Sequence, residues 1–196
     1  MHEVSGIKYH ILRISTMQLH YQNIAISGGV ASGKGTLKNN LRSYLEPLGW
    51  KFASGGELNR SKSGEYTAPS ADRVSDSFNN YIEQRTEELF TKEKHYVIEA
   101  WLAGWVARDM AETLRVLLIC SNLAVVVDRV ANRDKVGIAR AKEIIQERNQ
   151  LNTKTWNRLY GEQNFQDPKL FHLVIDTYAN SKEEVVHQVL QALGYE

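Results

Sequence analysis

The chain has 196 residues, 42% of them hydrophobic, and a net charge of only +1. This length suffices for one domain with a substantial core, and the near-neutral charge excludes a general attraction to nucleic acid or membrane surfaces. The single cysteine, Cys120, excludes an intramolecular disulfide, and no apolar run is long enough to span a membrane. We therefore expect a cytoplasmic monomer in which Cys120 is a buried structural thiol.

The N-terminal residues do not resemble a signal peptide, because they lack a continuous apolar core. Met17 lies only a few residues before the first predicted strand. We therefore expect an N-terminal extension at residues 1–16 and one folded domain at residues 17–196. The extension is either disordered or results from translation that starts upstream of Met17. The alternative is that Tyr9 to Ile14 form an ordinary edge strand.

The first predicted unit, Ile24 to Leu37, is a short apolar run followed by a glycine-rich turn and an amphipathic pattern. Its spacing, Gly28-x-x-x-x-Gly33-Lys34, is typical of a phosphate-binding loop, because glycines let backbone amides approach a phosphate closely. The helix start adds partial positive charge, and Lys34 adds a full one. The alternative, a glycine-rich surface loop, leaves unexplained a lysine at a helix start, where the dipole disfavours cations.

We name this turn the phosphate loop and predict that all of its residues bind the nucleotide. They are Gly28, Gly29, Val30, Ala31, Ser32, Gly33, Lys34, Gly35 and Thr36. Lys34 is in addition predicted to be catalytic.

Helical and strand patterns alternate along the rest of the chain. Helical spacing of apolar residues predicts helices over Leu37–Leu48, Val74–Leu89, Ala107–Leu114, Leu123 to a break at Gly137, Ile138–Tyr160 and Val185–Leu193. Continuous apolar runs predict strands at residues 24–26, 50–53, 95–99, 115–120 and 171–175. Such runs are typical of strands buried on both faces, so we predict an α/β fold with a parallel sheet between two helical layers.

Ligands of such sheets bind at the carboxyl ends of the strands, so the residues after each strand are candidates for the site. After the second strand, Ser54 precedes two glycines, and Arg60 follows about two turns later. We predict that Ser54 and Arg60 bind the anionic group of a second substrate, with Arg60 as a bidentate donor. The alternative is a helix cap at Ser54 with Arg60 on a solvated face.

The third predicted strand ends at Glu99, which we expect beside the phosphate loop. A carboxylate there can orient Mg²⁺-bound water, so we assign Glu99, together with the Thr36 hydroxyl, to the metal. Two indoles follow, Trp101 and Trp105. They either stack on a base or pack in the core.

A basic segment at residues 129–158 contains eight basic and three acidic residues, an excess of five positive charges. Because Gly137 divides it into two helices, we predict a lid that closes over a polyphosphate. Arginines of such a lid can neutralise charge on a transferring phosphoryl group. A solvated helical face is one alternative, and a nucleic-acid surface is another. The near-neutral net charge and the lack of interleaved aromatics weigh against the latter.

Several motifs together resemble the cytidylate kinase-like family, especially its short archaeal branch. They are ISGGVASGKGT, SGGELNR, VIEAWLAGW, the arginine-rich segment ending in NRLYG, and LVIDT before a terminal helix. The GKGT ending, with Thr36 one place after Gly35, is shared more widely by the nucleoside monophosphate kinases. The resemblance covers roughly residues 22–193.

The resemblance implies transfer of the γ-phosphoryl group of ATP, with Mg²⁺, to a nucleoside monophosphate, most readily CMP or dCMP. It implies a P-loop fold with a five-stranded parallel sheet of order 2-3-1-4-5 and a helical lid. Ser54 and Arg60 match the acceptor-phosphate positions, and Arg158 lies in the final RLYG motif as a substrate-binding residue. Arg129, Arg133 and Arg148 fall in the lid region, where the resemblance implies that they act on the transferring phosphoryl group.

One position departs from the family pattern, because Glu99-Ala100-Trp101 stands where the family has Glu-Gly-Arg. We assign Trp101 to the substrate site, but the missing arginine leaves the acceptor open. Two alternatives remain. One is a kinase of a small metabolite of the dephospho-coenzyme A or shikimate type, and the other is a nucleotide-binding regulator without catalysis.

Overall fold

The computed structural model describes residues 19–58 and 76–195, without the side chains of residues 76–79. The strands of this part are β1 (Asn23–Gly28), β2 (Lys51–Ser54), β3 (Tyr96–Glu99), β4 (Thr113–Ile119) and β5 (Leu173–Asp176). Its helices are α1 (Lys34–Leu45), α2 (Asp76–Lys92), α3 (Ala103–Val106), α4 (Leu123–Asp134), α5 (Ile138–Tyr160) and α6 (Lys182–Leu193). The predicted extension at residues 1–16, and the positions Arg60 and Val74, lie outside the described residues and stay predictions.

The strands form one parallel sheet of order β2-β3-β1-β4-β5, which confirms the predicted topology. β1 lies at the centre and is buried at all six positions, which explains the apolar run at residues 24–26. In the register of the sheet, Glu99 at the end of β3 is paired with both Ile26 of β1 and Ser54 of β2. The carboxyl ends of these three strands therefore meet beside the phosphate loop.

Helices cover both faces of the sheet with apolar side chains. On one face, α1 and α6 pack against β1 and β4, and Leu41 and Leu190 are almost completely buried there. On the other face, α2 and α3 contribute Leu89, Phe90 and Ala103 to a second cluster. Each fully buried leucine contributes roughly 2 kcal/mol, so the two clusters stabilise the sheet that positions the strand ends.

Most of the predicted helix boundaries are confirmed. α1 passes into a short 3₁₀ turn containing Pro47, and Gly49 then adopts a left-handed conformation with φ 82°. α4 begins where the Asn122 side chain accepts hydrogen bonds from two backbone amides. It ends at Lys135, whose φ of 54° reverses the chain before Gly137 begins α5. The predicted break at Gly137 is therefore a sharp turn between two helices.

The predicted helix from Ala107 to Leu114 is wrong. The helix in this region is α3, residues 107–112 form turns, and Leu114 belongs to β4. The carbonyls of Ala107 and Met110 accept the amides of Met110 and Thr113 in two tight turns, and the Arg115 guanidinium donates to both carbonyls as well. The polar residues between Ala107 and Ala111 also leave this segment without the continuous apolar face that would hold a helix against the sheet.

Asn23 joins three backbone segments at the amino end of the sheet. Its amide nitrogen donates to the carbonyls of Phe90 (3.2 Å) and Glu93 (3.3 Å), and its oxygen accepts from the amide of Tyr96 (2.9 Å). Asn23→Ala leaves these groups without their partner and is expected to lower the free energy of unfolding by about 2–4 kcal/mol. Urea denaturation measures this change. A loss below about 0.5 kcal/mol would show that water replaces the amide at no cost.

Within the described residues, no helix is long and apolar enough to cross a membrane.

Candidate active site

The phosphate loop follows β1 and has a backbone that only small residues tolerate. Gly28 has φ 151°, and a Cβ atom there would lie 2.4 Å from the carbonyl oxygen of Leu118. Gly33 also has positive φ, at 98°, and it precedes the first turn of α1. No side chain caps that helix among the residues the structure describes, so its first amides are free to bind an anion.

Lys34 is held against its own loop. Its Nζ donates to the carbonyls of Gly28 and Gly29, each at 2.8 Å. Burial lowers the pKa of Lys34 to about 8, and Glu99 opposes that shift, while Arg148 and Arg133 add to it. A cation with this depressed pKa lies in a region short of negative charge, which a polyphosphate would supply.

Glu99 lies at the end of β3 and interacts electrostatically with Lys34 and Lys38. Burial raises the pKa of Glu99, and these two lysines lower it again in part. Glu99 and Thr36, the residues assigned to Mg²⁺, line the same cleft. Mg²⁺ prefers such a set, one carboxylate and a hydroxyl completed by phosphate oxygens and water.

A cleft of about 660 Å³ opens above the phosphate loop. It is lined by Ala31, Ser32, Gly33, Lys34, Gly35, Thr36, Leu37, Asn40, Glu99, Arg129, Arg133, Arg148, Thr177, Asn180, Lys182 and Val185. The Ser32 hydroxyl in this wall is buried and has no hydrogen-bond partner in the part of the chain described. A cleft that combines cations, free amides and an orphaned hydroxyl is suited to a polyanion.

Arg129 connects the phosphate loop to the loop after β5. Its guanidinium donates to the carbonyl of Ala31 (3.1 Å), to the hydroxyl of Thr177 (2.9 Å) and to the Thr177 carbonyl (2.9 Å). The Thr177 hydroxyl in turn donates to the carbonyl of Ser32 at 3.1 Å. Arg129 therefore lies in the predicted site, but in this structure it fixes loop geometry with the donors that a phosphate would use.

Arg133 and Arg148 reach the cleft from the two helices of the predicted lid. Arg133 forms a bidentate pair with Asp134, at 2.7 and 2.8 Å. Arg148 has a buried Nε without a partner in the described structure, and burial followed by repulsion from Arg133 lowers its pKa. An underpaired guanidinium facing the phosphate loop is placed to receive negative charge.

The basic segment is not uniform in its surroundings. Arg140, on the first turn of α5, is exposed and pairs with Glu143 at 2.9 Å and with Glu147 at 3.1 Å. α4 and α5 pack through a separate apolar cluster that includes Val30 of the phosphate loop, Val130 and Ile145. The lid interpretation therefore fits the arginines facing the cleft, and the solvated-face alternative fits Arg140.

Three residues predicted to bind substrate lie outside the lining of the cleft, as far as the chain is described. The Ser54 hydroxyl accepts a hydrogen bond from the amide of Glu57 at 3.0 Å, as the helix-cap alternative predicts. Trp101 packs against Trp156 with ring centroids 5.2 Å apart and the ring planes tilted by 54°, and its ring centroid lies 5.9 Å from Lys34 Nζ. Arg158 occupies the last turn of α5.

Thr177, Asn40, Asn180 and Lys182 line the cleft although the sequence analysis gave them no role. Thr177 could have been predicted, because it directly follows β5 and ligands of parallel sheets bind at the carboxyl ends of the strands. The two asparagines lie on a helix or in a loop, and no spacing rule distinguishes them from surface residues. Their position becomes evident only when α1 and α6 are packed side by side.

Comparisons with known proteins show which family the chain belongs to. The sequence model of the cytidylate kinase-like family matches residues 42–179. A cytidylate kinase from Aeropyrum pernix is 32% identical over 171 residues, which cover 85% of this chain and 95% of that protein. One from Saccharolobus islandicus is 27% identical over 176 residues, covering 87% and 90%. This chain belongs to the cytidylate kinase-like family.

Solved structures support the fold of this family member. A protein from Eubacterium ventriosum, described as uncharacterized, superimposes with a TM-score of 0.70 at 14% identity, covering 89% of this chain and 99% of that one. Shikimate kinase from Acinetobacter baumannii, in complex with shikimate, gives a TM-score of 0.59 at 18% identity, covering 91% and 95%. As a member of the cytidylate kinase-like family with a P-loop kinase fold, the protein is a phosphotransferase.

Proposed function

We propose that the protein transfers the γ-phosphoryl group of ATP to a nucleoside monophosphate, with CMP or dCMP as the preferred acceptor. The observation that carries this proposal is the cleft above the phosphate loop. It brings the uncapped start of α1, Lys34, Glu99 and two lid arginines together around one volume. The preference for a pyrimidine is supported by the names of the archaeal relatives.

The residues of the cleft supply positioning and charge, and the reaction needs no covalent intermediate on the protein. The amides of the phosphate loop and the Lys34 ammonium would hold the β- and γ-phosphates of ATP. Arg133 and Arg148 would neutralise the charge that spreads over the transferring group. Arg129 would keep the phosphate loop and the Thr177 loop in register, since its guanidinium already bonds to both.

Mg²⁺ would be held by the Thr36 hydroxyl and by Glu99, the latter directly or through water, as the oxygen donors of this cleft allow. The chemistry that the ion would supply there is positive charge, which would neutralise part of the charge on the phosphates. On the acceptor side, Ser54 lies at the end of β2, next to Glu99 in the register. We also propose a role there for Trp101, Arg158 and Arg60, of which Arg60 lies outside the described residues.

The domain limits, the monomeric state and the cytoplasmic location stay predictions from the sequence.

An acceptor panel tests the proposed function. The purified enzyme is given ATP and Mg²⁺ with CMP, dCMP, UMP, AMP, GMP, shikimate or dephospho-coenzyme A, and ADP formation is followed. We expect kcat/KM for CMP or dCMP to exceed that for every other acceptor by about 10-fold or more, which is the discrimination that a few polar contacts provide. Lys34→Met serves as the control for contaminating kinases. Preferential phosphorylation of shikimate or dephospho-coenzyme A, or nucleotide binding without transfer, would overturn the proposal.

A further inference from the structure

Lys38 is a lysine on the buried face of α1. It lies among Leu37, Leu41 and Leu45 on that face, and its side chain is only 7% exposed. Lysine is rarely buried without a partner, because removing an ammonium from water is costly. Its position therefore calls for an explanation beyond helix packing.

The hydrogen bonding of Lys38 is incomplete in the described part of the chain. An ammonium has three N–H donors. The structure shows one acceptor for them, the Glu57 carboxylate, with Nζ 3.1 Å from Oε2. The Glu57 side chain is 44% exposed, so water screens the attraction between the two charges. Two donors of a buried cation are thus available for a further acceptor.

The surroundings of Lys38 indicate what that acceptor is. Glu57 lies one turn after Ser54, and its amide donates to the Ser54 hydroxyl. Ser54 is paired with Glu99 in the sheet register, and Lys38 interacts electrostatically with Glu99. The Lys38 ammonium therefore lies near the carboxyl ends of β2 and β3, where a second substrate of a parallel sheet binds.

Among the described residues, which exclude Arg60, the other cations near this position are engaged or absent. Lys34 also acts on Glu99, but its ammonium is bonded to two carbonyls of the phosphate loop. Residues 100–106, which follow β3, contain no lysine or arginine. A doubly charged phosphate placed between Ser54 and Glu99 would need a neutralising cation, and Lys38 is the buried one beside it.

We propose that Lys38 binds the phosphate group of the acceptor and leaves Glu57 to do so when the acceptor enters. This inference rests on the proposed function. It adds a residue that determines affinity for the phosphate of the acceptor rather than for its base. Glu57 acts as a competitor that holds the ammonium in place while the acceptor is absent.

The test compares a nucleoside monophosphate with its nucleoside, using the acceptor that gives the highest kcat/KM in the panel. Binding of both is measured by isothermal titration calorimetry in wild type, Lys38→Met and Lys38→Gln. The phosphate-specific part of affinity is the dissociation constant of the nucleoside divided by that of the monophosphate. We expect both substitutions to reduce this ratio by about 10- to 100-fold, the loss of one charge-assisted pair, with the KM for ATP within about twofold.

Glu57→Gln is the matched variant, because it removes the other half of the ion pair. It should lower the dissociation constant of the monophosphate by about 2- to 10-fold, since the ammonium no longer has to leave a charged partner. If the ion pair has only a structural role, variants at both positions should weaken the binding of the nucleoside and of the monophosphate by the same factor. That result, or Lys38 variants with an unchanged ratio, would overturn the inference while leaving the proposed function standing. If wild type phosphorylates none of the monophosphates, both fail together.

Discussion

Replacing Lys34 with methionine is expected to reduce turnover by about 10²- to 10³-fold or more, the cost of removing one preorganised charge from a transition state. Methionine keeps the length and volume of the side chain but cannot donate to phosphate oxygens. The ammonium now lies between the carbonyls of Gly28 and Gly29, within the loop that surrounds the phosphates. Steady-state kinetics with the best acceptor measures the loss as a change in kcat and kcat/KM.

The same substitution is expected to stabilise the unliganded protein. Lys34 is deprotonated near pH 8 in the folded state, but near pH 10.5 in its unperturbed form. The unfolded chain therefore binds more protons between these values, so the stability of wild type rises with pH across that window. Below pH 8 the folded protein carries the full cost of the buried charge. Lys34→Met removes this cost, and loses two hydrogen bonds, for a net gain of about 1–3 kcal/mol at pH 7.

Urea denaturation of both proteins at pH 7 and pH 10 checks this result, because the difference in stability should shrink towards zero at the higher pH. Lys51→Met is the control, since Lys51 is exposed at the start of β2 and pairs with Glu93. It should leave turnover within about twofold, as is usual for surface substitutions away from a site. Normal turnover in Lys34→Met would remove the phosphate loop from the catalytic site, whatever happened to stability.

The parallel sheet could be predicted because strands buried on both faces need apolar sequence, as in residues 24–26 of β1. The order of its strands came from the family resemblance and not from this pattern. The position of Lys34 could be predicted as well, because the phosphate-binding loop is a local structure of contiguous residues. The short helix α3 was misplaced for the opposite reason. It has only four residues, and a turn held by Arg115 follows it, so no helical period could develop.

The parts of the site that could not be predicted depend on contacts between distant segments. Helical spacing places Lys38 on the leucine face of α1, yet its partner Glu57 lies 19 residues later. The link between Arg129 and Thr177 spans 48 residues. Charge patterning places Arg133, Arg140 and Arg148 in one basic segment, and only the structure shows that Arg140 is exposed and paired while the other two line the cleft. Such distinctions arise from tertiary packing, which a count of charges does not contain.

Replacing Arg148 with methionine is expected to reduce turnover by about 10³-fold or more, as loss of an arginine that stabilises transferring phosphoryl charge does in related chemistry. Arg148 lines the cleft, its Nε lacks an acceptor in the described structure, and repulsion from Arg133 adds to the cost of its burial. We therefore expect the missing partner of this guanidinium to be a phosphate group of the bound substrate. The KM for ATP should change much less than kcat, because the charge is needed most in the transition state.

Arg140→Met provides the comparison on the same helix. Arg140 is exposed and already paired with Glu143 and Glu147, so its loss should cost under about 1 kcal/mol in stability and leave turnover near that of wild type. Arg148→Met should keep its stability or gain some, since an underpaired buried charge is removed. A turnover loss confined to Arg148→Met, without a loss of stability, would assign the charge to the reaction. Equal turnover in the two variants would show that α5 presents only a solvated basic face.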